Sequence, residues 1–310
     1  MMTMTNKKTN LLNACLALVV TGTFACTTSG KKESAETPPA PANSEGVFGA
    51  AADPGTLRNS FVIEMAGAAA VWSSQDPAKW LDATVFAQIE KGDAEGAERN
   101  ARALLAKNPA DPQAMLALSA SLLVSRNVEL ADYYATRVAS MQSIEQASAL
   151  NIRGICRVLF AVATGRSEDY DDAANFFRNS LAANGNQVAA ALNLGELELV
   201  RNRAGEAVSA FSQAAGRCQE CRPALYGWGL AAMRARQFDT ARDQFKTLAK
   251  RDPSDDEANY QLALAEAYGF KEIDRAARIL KDLATGSKDM RIRAMAESVL
   301  RKLRGSGGNL

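Results

Sequence analysis

The chain has 310 residues, 47% of them hydrophobic and 23% charged, which is enough apolar material for a sizeable core. Its formal net charge of +1 provides no global field for nucleic acid or an anionic surface. It contains no histidine, which excludes Ser-His-Asp and Cys-His nucleophilic sites, histidine-ligated metal and c-type haem attachment, and removes the commonest general base, while carboxylate or lysine chemistry remains open to an enzyme.

Residues 1–25 read as a signal peptide, with Lys7 and Lys8 ahead of an apolar run from Leu11 to Ala25. That run is about 15 residues, short of the roughly 20 that span a bilayer. Thr23-Phe24-Ala25-Cys26 resembles a bacterial lipobox, which would make Cys26 the acylated residue. Thr23 departs from that pattern, where an aliphatic residue is usual, and plain signal-peptidase cleavage after Ala25 is the alternative. Thr27 follows in place of the Asp that retains some lipoproteins in the inner membrane, so the resemblance implies a periplasm-facing outer-membrane lipoprotein. Removing residues 1–25 takes away two lysines and no acid, which leaves a charge near zero.

Residues 26–59 carry Pro38, Pro39, Pro41 and Pro54 among Ser, Ala, Glu and Lys, the composition of a disordered linker. About 30 such residues have a root-mean-square reach of about 30 Å. Residues 60–77 contain one amphipathic helix, with Phe61, Met65 and Ala69 along a face and Trp72 near its end. It reads as an N-terminal cap, or as a helix that docks into the protein's own groove or a partner.

From residue 78 to residue 289 one pattern recurs. Ala78–Asp111 has Val85, Ala97, Ala101, Leu104 and Pro109, with Gly92-Asp93 at the turn, and Pro112–Ser143 has Ser119, Ala131, Ala135 and Val138. The second turn, Arg126-Asn127, lacks glycine, so Asn127 is expected to supply the special backbone conformation. The third stretch starts normally at Gly154, but its matching Ala173 comes nineteen residues later. The seven extra residues lie around Thr164 to Asp172 and include Glu168, Asp169, Asp171 and Asp172. Acids before an apolar helix fit a helix N-terminus; a cation site or a basic partner is the alternative reading.

Val188–Cys221 has Leu194-Gly195, Ala207, Phe211 and Ala214. Arg222–Asp255 repeats this 34 residues on with Trp228-Gly229, Ala241, Phe245, Leu248 and Pro253. A glycine lets two helices approach, a small residue fits their crossing, an aromatic fills the next layer and a proline stops the second helix. A sixth stretch, Asp256 to Lys288, has Ala263, Ala276, Leu280 and Leu283 and is one residue longer. Residues 290–310 comprise a terminal helix with Ile292, Ala296, Val299, Leu300 and Leu303 apolar, then a tail. Lys288 to Arg304 holds six basic residues against two acids, which reads as a solubilising cap or, less simply, as a contact for anionic lipid or an acidic partner.

Two consecutive matches at a period of 34 resemble the tetratricopeptide repeat family. The resemblance implies an all-α fold, an α-solenoid wound as a right-handed superhelix of about six helix-turn-helix repeats with capping helices. It further implies a concave groove lined by the first helix of each repeat. Transferring the family's groove positions to this sequence selects Phe86, Leu116, Leu123, Asn151, Ile155, Leu192 and Glu196, then Tyr226, Leu230, Met233, Tyr260, Leu264 and Tyr268. Ile89, Leu159, Leu199 and Arg234 join the same line. A lining this apolar suits an apolar helix face or an extended peptide. The paired Lys, Arg and Asn with which the co-chaperone type grips a peptide carboxylate are missing from it.

Cys15 falls in the signal peptide, and Cys156 reads as a small buried apolar residue. Cys218 and Cys221 read as a disulfide in an exported protein, pinning the junction of two repeats. A thiol-disulfide or metal-handling role for that pair is the competing class, although zinc would need two more ligands that the sequence lacks. No catalytic residue, metal or cofactor is expected. The function expected is a protein-protein scaffold assisting assembly of an envelope complex (pilus, secretion or motility machinery) or an adaptor for cell-wall enzymes. Membrane contact is expected through the lipid anchor only, and no nucleic acid partner.

Overall fold

The computed structural model describes residues 83–305, which form thirteen helices joined by short connections, with no strand among the described residues. The expected signal peptide (1–25), Cys26 and its linker (26–59), the Phe61–Trp72 helix and the tail 306–310 lie outside the described residues.

The helices pair in chain order. α1 (Ala83–Glu90) goes with α2 (Ala94–Lys107), α3 (Pro112–Val124) with α4 (Val128–Ala139), and α5 (Gln146–Thr164) with α6 (Glu168–Ala183). α7 (Val188–Val200) goes with α8 (Ala204–Arg217), α9 (Arg222–Arg234) with α10 (Phe238–Arg251), and α11 (Asp256–Leu264) with α12 (Ile273–Gly286). α13 (Met290–Gly305) closes the row. Each first helix packs on its own second helix and on the second helix of the preceding pair, and successive first helices from α1 to α9 touch one another. The result is an α-solenoid with first helices inside and second helices outside.

The sequence of α8 shows why these helices form and what they bury. Ala207, Ala210, Phe211, Ala214 and Ala215 are buried, while Glu206, Ser209, Gln213 and Arg217 stay in water. That three-and-four spacing is one apolar stripe on a helix. Phe211 then sits between glycines of two repeats: a Cβ on Gly195 would lie 2.7 Å from its ring, and one on Gly227 would also collide with it. A Cβ on Gly229 would lie 2.6 Å from Phe245. The recurrent Gly-to-Phe spacing is therefore a close helix-helix approach with no room for a side chain.

The turn within the second repeat differs from expectation. Arg126, not Asn127, adopts the left-handed conformation, with φ of 63°. Asn127 has φ of −87° and caps α4 by accepting from the Leu130 amide. Asn202, Arg236 and Lys271 occupy the same left-handed turn position, which Gly92 takes in the first repeat. The conformation is held by backbone bonds such as Asn127 N–H to Leu122 C=O at 2.8 Å, so the turn itself outweighs the cost of about 1–2 kcal/mol for a side chain there.

Two length irregularities are absorbed in different ways. In the third repeat α5 grows to 19 residues against 13 in α3, α7 and α9, and only residues 165–167 separate it from α6. Gly165, with φ of 73°, ends it. Glu168, Asp169 and Asp171 thus stand in the first turn of α6 with Asp172 directly after them, at a helix N-terminus as expected. In the sixth repeat the extra residue is taken up by a π-helical turn, Ala265–Gly269, that continues α11. α5 is long and apolar enough to cross a membrane by length and composition. It carries Arg153 and Arg157, however, and packs against α4, α6 and α7 as an ordinary member of the stack.

Candidate partner-binding surface

The residues selected for the groove all fall on the inner layer of helices, but at two depths. Leu116, Leu123, Asn151, Ile155, Leu192, Met233, Tyr260 and Leu264 are each 5% exposed or less. Ile89, Leu159 and Leu199 are similarly buried. Glu196 on α7, Tyr226, Leu230 and Arg234 on α9, and Tyr268 in the π-helical turn remain partly exposed. Phe86 lies on α1. Among the described side chains, the accessible part of the line belongs to repeats four to six, and the deeper residues chiefly pack the first helices against their neighbours.

Its chemistry is apolar with a few placed polar groups. The Tyr226 ring meets Phe245 edge-on at 5.8 Å, carries the Arg222 guanidinium 4.9 Å above its centroid, and bonds Gln261 through its hydroxyl. Burial raises its pKa, with Glu257 acting in the same direction. Tyr260 is pushed up to about 12 by burial and, secondarily, by Tyr268. Arg222 itself is fixed by a two-pronged bond to Asp255, at 2.7 and 2.8 Å, and by Glu257 at 2.7 Å. Burial disfavours charge on Asp255, but the Arg222 bonds and the Ala258 amide outweigh it and hold that carboxyl below its usual range. This joins the start of the fifth repeat to the start of the sixth. Deeper in the stack the Asn193 amide donates to Asn151 at 2.9 Å, and the Asn193 carbonyl oxygen is buried without a partner.

Glu196 stands apart. It makes no hydrogen bond or ion pair with a described residue, and burial pushes its pKa up to about 7 against a smaller opposing pull from Arg234. The Arg234 guanidinium is turned to the Leu199 carbonyl, 2.8 Å away.

Elsewhere the selected residues give structural roles. Cys218 and Cys221 are joined as a disulfide between α8 and α9, with Cα atoms 5.3 Å apart. Cys156 is buried in α5, and burial pushes its thiol pKa up strongly. Of the acids in α6, Asp171 pairs with Arg201, and Glu168 and Asp169 lie 3.6 and 3.7 Å from Arg166. No group of three metal-ligating side chains occurs among the described residues. A shallow cavity of about 200 Å³ between the second and third repeats is lined by Ser143, Ile144, Gln146, Ala147, Ala183 and Asn184, which offer neither acid nor base.

Sequence reasoning missed two fully buried carboxylates, Glu198 and Glu266. Glu198 is held by Arg178 at 2.7 Å, which locks the third repeat to the fourth, and by Arg201 of its own repeat at 3.4 Å. Glu266 stands second in the π-helical turn, with Arg275 3.3 Å away and no hydrogen bond to either carboxyl oxygen. The available signal was an acid inside an otherwise apolar first helix, such as Glu198 in the run Leu197 to Val200.

Comparison with known proteins agrees with this architecture. The tetratricopeptide repeat family profile matches residues 87–141, 159–220 and 226–289. Among solved structures, YrrB, described as a tetratricopeptide repeat protein with an unusual peptide-binding site, superposes with a TM-score of 0.54 at 18% identity, covering 65% of this chain and 100% of that one. PilF of Pseudomonas aeruginosa gives 0.54 at 15% identity over 79% of this chain and 99% of its own. The Cut9 complex with Hcn1 gives 0.51 at 15% identity, over 81% and 48%. No match to a curated protein was found.

Proposed function

Because this chain belongs to the tetratricopeptide repeat family, we propose that it is a non-enzymatic scaffold that holds a partner segment against the inner face of its last three repeats. The family is typically a protein-interaction fold, and the observation that carries the reading here is the partly exposed set Tyr226, Leu230 and Tyr268 on that face. Rigid aromatic and aliphatic side chains that are neither fully buried nor scattered suit a docking strip. The peptide-binding description of YrrB favours the same use of the fold.

The finer reading is a periplasm-facing outer-membrane lipoprotein, anchored at Cys26 by a linker of residues 26–59. There it would help an envelope complex assemble: a pilus, secretion or motility machine, or a set of cell-wall enzymes. The lipobox-like Thr23 to Cys26 motivates the anchor, and the likeness in fold to PilF favours the pilus branch. The test is crosslinking in cells from a photoreactive residue at Tyr226 or Leu230, read by mass spectrometry. An envelope protein captured at either site and lost on Leu230→Glu is the expected result. Adducts confined to the chain itself, or unchanged by Leu230→Glu, would overturn the reading.

A further inference from the structure

Several charged side chains at the helix junctions of this solenoid are matched by opposite charges. Asp132 takes Arg153 and Arg157, Glu198 takes Arg178 and Arg201, and Asp255 takes Arg222. Arg153, Arg157, Arg178 and Arg222 each reach across a junction between repeats, so the cost of burying these charges is offset by a bond within the fold. Glu196, on the inner strip, is not matched in this way. It lies one helical turn from Leu192 and close beside Leu199 along α7, on the accessible strip, with no hydrogen bond or ion pair to a described residue. The nearby cation, Arg234, is committed to the Leu199 carbonyl. Two residues further, Glu198 points to the outer layer and is satisfied there. A carboxylate in an apolar lining with no bonded partner is costly alone and gains most from a cation delivered from outside.

We propose that the partner segment carries a lysine or arginine that pairs with Glu196 while its apolar residues lie on Leu230, Tyr226 and Tyr268. This rests on the inner-face reading above and adds the charge of the occupant. It also excludes a class of ligand. A segment ending in a carboxylate or rich in acids would bring like charge to a half-buried acid, a repulsion that works as specificity.

The test uses a phage-displayed library of random dodecapeptides panned on the full-length protein. Wild type is compared with Glu196→Gln, which keeps the shape and removes the charge, and with Leu230→Glu, which blocks the strip. Expected is enrichment of apolar peptides with a lysine or arginine at a fixed position, a preference that disappears on Glu196→Gln. For a synthetic peptide from that pool, Glu196→Gln and the peptide's own Lys→Glu change should each weaken binding by about tenfold or more. Glu196→Lys paired with the Lys→Glu peptide should recover most of that loss. Peptides that need Leu230 but show no basic preference, or keep it on Glu196→Gln, would overturn this inference and leave the inner-face reading standing. A pool indifferent to Leu230→Glu would overturn both.

Discussion

At Glu196, burial lifts the carboxyl from 4.5 to about 7, and Arg234 offsets only part of that. The folded pKa lies above the unfolded one, so below pH 4.5 both states hold the proton and the residue is neutral in the balance. Between about 4.5 and 7 the unfolded chain ionises first, and stability falls as pH rises. Glu196→Gln should therefore match wild type at pH 4 and exceed it by about 2 kcal/mol at pH 8, a figure discounted for the residue's partial exposure. Urea denaturation at the two pH values checks this; equal stability at pH 8 would mean that the carboxyl is solvated like an ordinary surface acid. Cysteine reactivity makes a second residue-level test. Cys156 is buried with its thiol pKa raised, whereas Cys218 and Cys221 are bonded to each other. Maleimide should label Cys156 only after denaturation, and the other two only after reduction as well, with peptide mass spectrometry as the readout. Labelling of Cys218 in native, unreduced protein would reopen the thiol-exchange class.

Between helices the decisive contact is an aromatic ring against a missing side chain. Phe211 touches the glycine positions of its own repeat and the next, so Phe211→Ala opens a cavity at a shared boundary. It should cost about 3–5 kcal/mol in chemical denaturation, at the upper end because neither flanking helix can relax without disturbing a neighbour. An effect under about 1 kcal/mol would mean that the ring is not fully packed. This contact was legible in the sequence, since one interaction repeating every 34 residues leaves glycine, alanine and phenylalanine at fixed offsets. The irregular repeats were legible only as counts. Seven extra residues announced an irregularity, but not that α5 would lengthen; one extra residue did not announce a π-helical turn at Ala265–Gly269. Both outcomes depend on which backbone path keeps the flanking apolar stripes in register, which is a property of the assembled stack. Asn127 was misjudged because asparagine suits a left-handed turn and a helix N-cap equally well, and the turn geometry puts Arg126 at the first place. On the candidate surface, the transferred spacing located the right helices but not the depth of each side chain. Glu196 and Glu198 are about 200° apart around α7, so one reaches the inner strip and the other reaches Arg178. The sequence shows two similar acids and does not show where Arg178, twenty residues earlier, will stand.

Across the molecule the buried side chains fall into three clusters in chain order. One spans the first three repeats and reaches Ala210 in the fourth, one centres on α7 to α9, and one runs from Ala232 to Leu303. No cluster is shared by both ends, which makes stability a sum of local terms between neighbours. α13 is the last of these neighbours. Ile292, Ala296, Val299 and Leu303 are buried among the α12 side chains Ala276, Leu280 and Leu283, each larger one contributing about 1.5–3 kcal/mol by burial. Deleting residues 290–310 leaves that α12 face in water with nothing to replace the cover. Amide hydrogen exchange should then show protection lost in α11 and α12, reduced in α10, and unchanged in α3 to α6, where no shared contact has been removed. The inner strip at Tyr226 and Leu230 lies two repeats in from that end, so peptide binding should weaken less than the stability of α12 does. A uniform loss of protection along the whole stack would instead mean one cooperative unit, in which any cap lost anywhere loosens the strip equally.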